Sequence, residues 1–203
     1  HSIAASSTSE LLFKLIDEMG KKDMINKQIA ECLYVGIMTD TGSFSYSSNN
    51  PYTYEVVKHI VSFGVDTALI QQMVYNTFTD DKIKLLGYSI FEKLKIFKSY
   101  KSAYISLSAD ELNRFNYKIG DTEGLVNYTL KIKDIHFGAL ITEMDGFIKI
   151  SFRSIGKIDV NEIAKKNFQG GGHKNASGAN FYGTIEEACA IMDTIIKTQL
   201  NIL

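Results

Sequence analysis

Apolar residues recur at helical spacing through the first 95 positions. Leu11, Leu12, Leu15, Ile16 and Met19 share one face, and Ser7-Thr8-Ser9-Glu10 ahead of them has capping-box spacing, so a helix opens there and stops at Gly20. A second helix is predicted from Asn26. Its apolar face, Ile29, Ala30, Leu33, Tyr34, Ile37 and Met38, is wide enough for deep burial and ends near Asp40-Thr41-Gly42. Ser43 to Asn50 is polar, with Phe44 and Tyr46 alternating into it, and reads as a loop or a short extended piece. Pro51, the only proline, suits the first turn of a third helix ending at Gly64. Asp66 caps a fourth through Tyr75, and Thr79 or Asp80 a fifth through about Leu94.

The texture then changes. Tyr100 to Leu107 has strand composition, Asp110 to Phe115 reads as a short helix and Asp121 to Leu130 as another. Ile135 to Met144 and Phe147 to Ile155 are strands joined by Asp145-Gly146, a hairpin signal. Val160 to Phe168 is a short amphipathic helix. Gly170-Gly171-Gly172-His173 is the sharpest break in the chain, Ala179 to Tyr182 a strand, and Thr184 opens a last helix. The change places a domain boundary near residues 95–100, with the helix at 79–94 as the connection.

Composition narrows the function. The chain has 203 residues, 45% hydrophobic and 22% charged, which is globular and excludes collagen, coiled coil and wholesale disorder. Twenty-two Lys and Arg balance 23 Asp and Glu, for a net charge of -1. That balance predicts no duplex DNA partner and no membrane-surface adsorption, and leaves room for a small phosphate pocket. No apolar run approaches the roughly 18 residues of a membrane span, and the opening residues do not read as a signal peptide. Cys32 and Cys189 sit in apolar helical patterns and read as reduced core thiols of a cytoplasmic protein. The chain opens on His1 rather than methionine, so a piece of a longer protein is expected.

Three features carry candidate chemistry. Asp40 falls in the last turn of an apolar helix, where the negative end of the macrodipole disfavours its charge. It reads either as a turn-capping carboxylate or as one ligand of a cation, with the Thr39 and Thr41 hydroxyls nearby. Gly170, Gly171 and Gly172, followed by His173, Lys174, Asn175 and Ser177, form either a flexible turn or a nest of backbone N–H groups that converge on an anion. Arg153 lies on the strand face opposite Ile148, Ile150 and Phe152. It is either a solvated outward residue or a planar fork for a phosphate, supported by Ser151 and Ser154. His136 and His59 read as structural, and the aromatic residues as core, with Phe44 and Tyr46 beside Asp40 as the exceptions.

Taken together these pieces resemble the DHH–DHHA1 phosphoesterase superfamily. Gly170-Gly171-Gly172-His173-Lys174-Asn175-Ala176-Ser177-Gly178 is similar to the GGGHxxAAG signature of its DHHA1 domain, with Ser177 where alanine is often found. Gly36-Ile37-Met38-Thr39-Asp40-Thr41-Gly42-Ser43-Phe44 resembles its last DHH motif, whose aspartate binds metal. Ala5 to Glu10 resembles the helix start that follows the DHH triplet. Asp121 to Tyr128, which includes Asn127, and Ser151 to Ser154 resemble the segments flanking its substrate cleft. The chain has no Asp-His-His and no early Asp-x-Asp, so the resemblance places most metal ligands before His1.

The resemblance implies an α/β fold in three parts. These are the helical C-terminal part of a DHH domain over residues 1–75, a linking helix over 76–97 and an α+β DHHA1 domain with a mixed sheet over 98–203. It implies a metal-dependent phosphoesterase with two Mn²⁺ ions, Mg²⁺ being the substitute, in a cleft between domains. The branch most similar acts on short oligoribonucleotides and 3′-phosphoadenosine 5′-phosphate; others cleave cyclic dinucleotides such as c-di-AMP, or pApA. In that picture Asp40 binds metal, and His173 and Arg153 stabilise the phosphate. Gly170, Gly171, Gly172, Lys174, Asn175, Ser177 and Asn127 bind substrate. A homodimer is compatible with the family. The competing expectation is a nucleotide-binding module without catalysis, because one carboxylate cannot hold a metal pair and the chain as given is then inactive.

Overall fold

The computed structural model describes residues 5–45 and 49–200, so His1 and Tyr46 lie outside the described residues. Helix starts follow side-chain caps. Ser7 opens α1 (Thr8–Glu18), Asn26 α2 (Lys27–Asp40), Asn50 with Pro51 α3 (Pro51–Val61) and Asp66 α4 (Thr67–Tyr75), each side chain accepting a backbone N–H of the first turn. Thr79 does the same for α5 (Asp80–Phe91).

The chain divides after Thr77 into two compact units. The first is helical. Phe13, Leu33, Ile37, Met38, Val56 and Ile60 fill its core. Cys32 is exposed on the outer side of α2 and Cys189 half-buried, so neither is the fully buried thiol expected; both are free. In α1 the capping box closes on one side only. Ser7 Oγ accepts the Glu10 N–H at 3.1 Å, but the Glu10 carboxylate turns inward. There it accepts hydrogen bonds from Ser6 and, at 2.6 Å, from Thr53 Oγ1 of α3.

The second unit begins with α5 and continues through β1 (Leu94–Phe97), β2 (Ser102–Leu107), α6 (Ala109–Arg114), β3 (Phe137–Met144) and β4 (Phe147–Ser154). It ends with α7 (Val160–Asn167), β5 (Gln169–His173), β6 (Ala176–Phe181) and α8 (Ile185–Gln199). The division falls ahead of the 95–100 region that the sequence pointed to. The expected linking helix is part of the second unit: Leu85 of α5 is buried with Ile105, Leu107, Leu112 and Leu140.

The six strands form one sheet in the order β1-β2-β3-β4-β6-β5. Only β2 and β3 run parallel, so the sheet is mixed, as the resemblance implied. One face packs on α7 and α8, through Phe137, Ile150, Phe152, Ile163, Met192 and Ile196 among others. The opposite face of β2 and β3 is covered by α5, α6 and a 3-10 helix over Leu125–Lys131. An α-helix was expected from Asp121 to Leu130. Gly120 and Gly124, at φ 103° and 78°, instead break the backbone into turns before the tighter helix starts.

Candidate functional site

Asp40 ends α2 and is exposed. Gly42, Ser43 and Phe44 follow with φ of 53°, 55° and 63°, a left-handed turn that supplies the sharp reversal expected. The neighbouring hydroxyls have their protons committed to the helix backbone. Thr39 Oγ1 donates to the Val35 carbonyl at 2.9 Å and Thr41 Oγ1 to the Ile37 carbonyl at 2.7 Å, while Thr41 Oγ1 also accepts the Phe44 N–H at 3.0 Å. Among the described residues no three His, Cys, Asp or Glu side chains are grouped so as to hold a metal ion.

The glycine stretch is a strand, not a turn or a nest. Gly170, Gly171 and Gly172 lie in β5, with Gly171 opposite Gly178 and His173 opposite Ala176 of β6. Successive N–H groups of a strand point to opposite edges, so they cannot converge on one anion. The Gly172 N–H is also committed, to Asn161 Oδ1 of α7 at 3.0 Å. The glycines serve close approach instead: a Cβ on Gly170 would strike the Gly178 carbonyl and Ala179, and Gly172, at φ 149°, abuts Ser177.

Two expected phosphate donors have structural roles. Ser177 is buried on the core side and its Oγ donates to the His173 carbonyl at 2.8 Å. Asn175 Nδ2 donates to Ser154 Oγ at 2.8 Å, tying the β5–β6 turn to β4. Ser154 Oγ itself donates to the Ile158 carbonyl at 2.8 Å, so it does not support Arg153. Lys174 is exposed in the turn, and its carbonyl accepts the Val160 N–H at 2.8 Å.

The remaining candidates meet on one surface. Strand register sets Arg153, Ala176 and His173 in one row across β4, β6 and β5, and Ser151, Gly178 and Gly171 in the next. Alternation puts all six on the face opposite Ile150, Phe152 and Ala179. The 3-10 helix carrying Asn127 sits on this same face: Thr129 packs against Gly138, which pairs with Arg153. Beyond that helix the face is open, and Gly178 and His173 are exposed.

Arg153 is the electrostatic feature of the surface. It is half-buried, and burial pushes its pKa below the ordinary guanidinium value. Its hydrogen bond runs to its own neighbour's carbonyl, Phe152 O, at 2.8 Å. No carboxylate among the described residues pairs with it. Arg153, His173 and Gly171, expected from the sequence, share this face, whereas Asn161, which holds the glycine strand in place, was not among the residues the sequence pointed to. Its only signal was a polar residue at the second position of an amphipathic helix.

Residues 99–198 match the DHHA1 domain family. The chain is 36% identical over 186 residues to a probable bifunctional oligoribonuclease and PAP phosphatase NrnA of Streptococcus mutans, covering 90% of this chain and 57% of the relative. It is 29% identical to the bifunctional oligoribonuclease and PAP phosphatase NrnA of Bacillus subtilis, covering 96% and 61%. An exopolyphosphatase-related protein of Bacteroides fragilis matches with a TM-score of 0.92 and 45% identity, over 96% of this chain and 57% of that one. The chain thus spans less than two thirds of the length of each of these relatives.

Proposed function

The chain belongs to the DHH–DHHA1 superfamily, and from that premise we propose that the whole protein is a phosphoesterase of short oligoribonucleotides or 3′-phosphoadenosine 5′-phosphate. This chain's part is to hold the substrate's phosphate. The observation that carries the reading is Arg153, a half-buried cation with no acid partner among the described residues. A desolvated charge without a counter-ion is costly, and a bound phosphate removes that cost. The guanidinium fork suits two phosphate oxygens, and His173, exposed in the same row, is placed to hydrogen-bond another. Ser151 and Gly171 leave the next row low enough for the substrate to lie against the sheet.

The manganese pair implied by the resemblance does not fit the described residues by themselves, since hard cations need several ligands and only Asp40 is offered. Asp40 is proposed as one carboxylate of a site completed elsewhere in the whole protein. The chemistry assigned to these residues is therefore binding and orientation. The lack of a metal-ligating group among the described residues favours a second reading, in which the chain on its own is a nucleotide-binding module.

Calorimetric titration with pApA, alongside an assay of Mn²⁺-dependent pApA hydrolysis, tests both. Binding without turnover is expected. Arg153→Ala should weaken binding about tenfold to a hundredfold, the size of a lost charge-assisted hydrogen bond. Unchanged affinity in that variant removes the phosphate assignment. Turnover abolished by Asp40→Ala would show that the metal site is complete and overturn the module reading.

A further inference from the structure

The hairpin that carries His173 lies at a sheet edge and is rich in glycine, yet its backbone is fastened on both sides of the histidine. Gly172, at φ 149°, has a conformation that favours glycine, and its N–H leaves the sheet to meet Asn161 Oδ1 at 3.0 Å. A Cβ on Gly171 would lie 3.6 Å from the same oxygen, so the Asn161 side chain runs along both glycines. Beyond His173, the Lys174 carbonyl accepts the Val160 N–H at 2.8 Å and the Asn175 carbonyl the Ser154 N–H at 3.1 Å. The His173 carbonyl itself accepts from Ser177 Oγ at 2.8 Å. Asn161 is held in turn by the start of α7, where Asp159 Oδ1 accepts its N–H at 3.0 Å. The His173 imidazole is the exception. It is exposed and has no hydrogen-bond or ionic partner among the described residues. A free ring on a fastened backbone is the arrangement of a group held ready for a ligand.

We propose that Asn161 is a positioning residue: its amide oxygen, through Gly172, sets where the His173 imidazole meets the substrate's phosphate. The inference rests on the phosphate reading of the Arg153 and His173 row, and adds the residue that fixes one end of that row. The Gly172 N–H points away from β6, so no strand partner takes over when the Asn161 side chain is lost. Glycine has more backbone freedom to regain than any other residue, and His173 follows directly on three of them. Arg153 stands on β4, paired on both sides by β3 and β6, and does not depend on this bond. Loss of Asn161 therefore removes the His173 contribution and leaves that of Arg153.

The test is a double-mutant cycle on the 203-residue chain, read by calorimetric titration with AMP as the probe. Asn161→Ala should weaken AMP binding about tenfold, the size of one hydrogen bond, and no more than His173→Ala does. In the His173→Ala background the same substitution should cost less than about twofold, since the group it positions is gone. A merely structural Asn161 would give equal losses in both backgrounds. Equal losses, or unchanged affinity in Asn161→Ala, overturn the positioning role and leave the phosphate reading standing. No AMP binding by the unaltered chain overturns both. Circular dichroism reports whether the variants fold, and the unaltered chain offers a readout that needs no variant. Saturating AMP should slow hydrogen exchange of the Gly172 N–H about tenfold, because coupling between the bond and the ligand is reciprocal. An exchange rate that bound AMP leaves unchanged overturns the proposal as well.

Discussion

Glu111 shows how much one side chain can organise. It closes the cap of α6, accepting the Ser108 N–H at 2.8 Å, and also accepts from Tyr88 OH at 2.6 Å and pairs with Lys93 Nζ at 2.6 Å. Burial alone would raise its pKa, but the hydrogen bonds from Lys93, Tyr88 and Ser108 outweigh it and the net shift is downward. A carboxylate with a depressed folded-state pKa contributes stability that is full above its unfolded value. That contribution is lost as pH falls through the lower folded value. The thermal midpoint of Glu111→Gln should therefore lie below that of the parent chain near neutral pH. The gap should narrow as pH drops below about 4.5. A gap that stays constant down to about pH 3 would mean that the charge of Glu111 does not matter and only its shape does.

Among elements, the contact of the Leu125–Lys131 helix with β3 governs the candidate site. Gly138 is strand residue and helix seat at once, because a Cβ there would collide with Thr129 Oγ1, which is already bonded to the Val126 carbonyl at 2.7 Å. Gly138→Val should cost about 1–3 kcal/mol in urea unfolding, the usual range for overpacking. Because Gly138 pairs with Arg153, it should weaken phosphate binding as well. Combined with Thr129→Ala the loss should be smaller than the sum of the two single changes, since the clash is shared. Strict additivity would show that the helix does not rest on Gly138.

The elements also show what the sequence could and could not reveal. Caps and apolar periodicity are local, so α1 to α5, α7 and α8 and the β3–β4 hairpin were legible, and Arg153 was correctly set opposite the core face. Strand pairing is not local. Three glycines have almost no strand propensity, and β5 exists because β6 pairs with it and Asn161 holds it. For the same reason the meeting of Ser151, Gly178 and Gly171 in one row was invisible, since it appears only once the register of three strands is known. Ser177 and Asn175 hydrogen-bond within the protein, which their polarity alone could not reveal, because polarity does not tell a ligand donor from a side chain already satisfied inside the fold.

At the scale of the whole molecule, the two units have separate cores, and every residue of the Arg153 and Ser151 rows belongs to the second. The same unit contains the residues that match the DHHA1 family. The near-neutral net charge of -1 fits the proposed ligand with few phosphates, for which one embedded cation is offered rather than a basic stripe. Recognition should then be separable from the helical unit. A chain of residues 78–203 has its own sheet, two flanking layers and all the binding candidates except Asp40. It should fold cooperatively and bind AMP within about threefold of the 203-residue chain, a difference below ~0.7 kcal/mol. Circular dichroism establishes the fold and calorimetry the affinity. A folded second unit that has lost AMP would place part of the recognition in residues 1–77, and the sheet face that carries Arg153 would then be insufficient to account for binding.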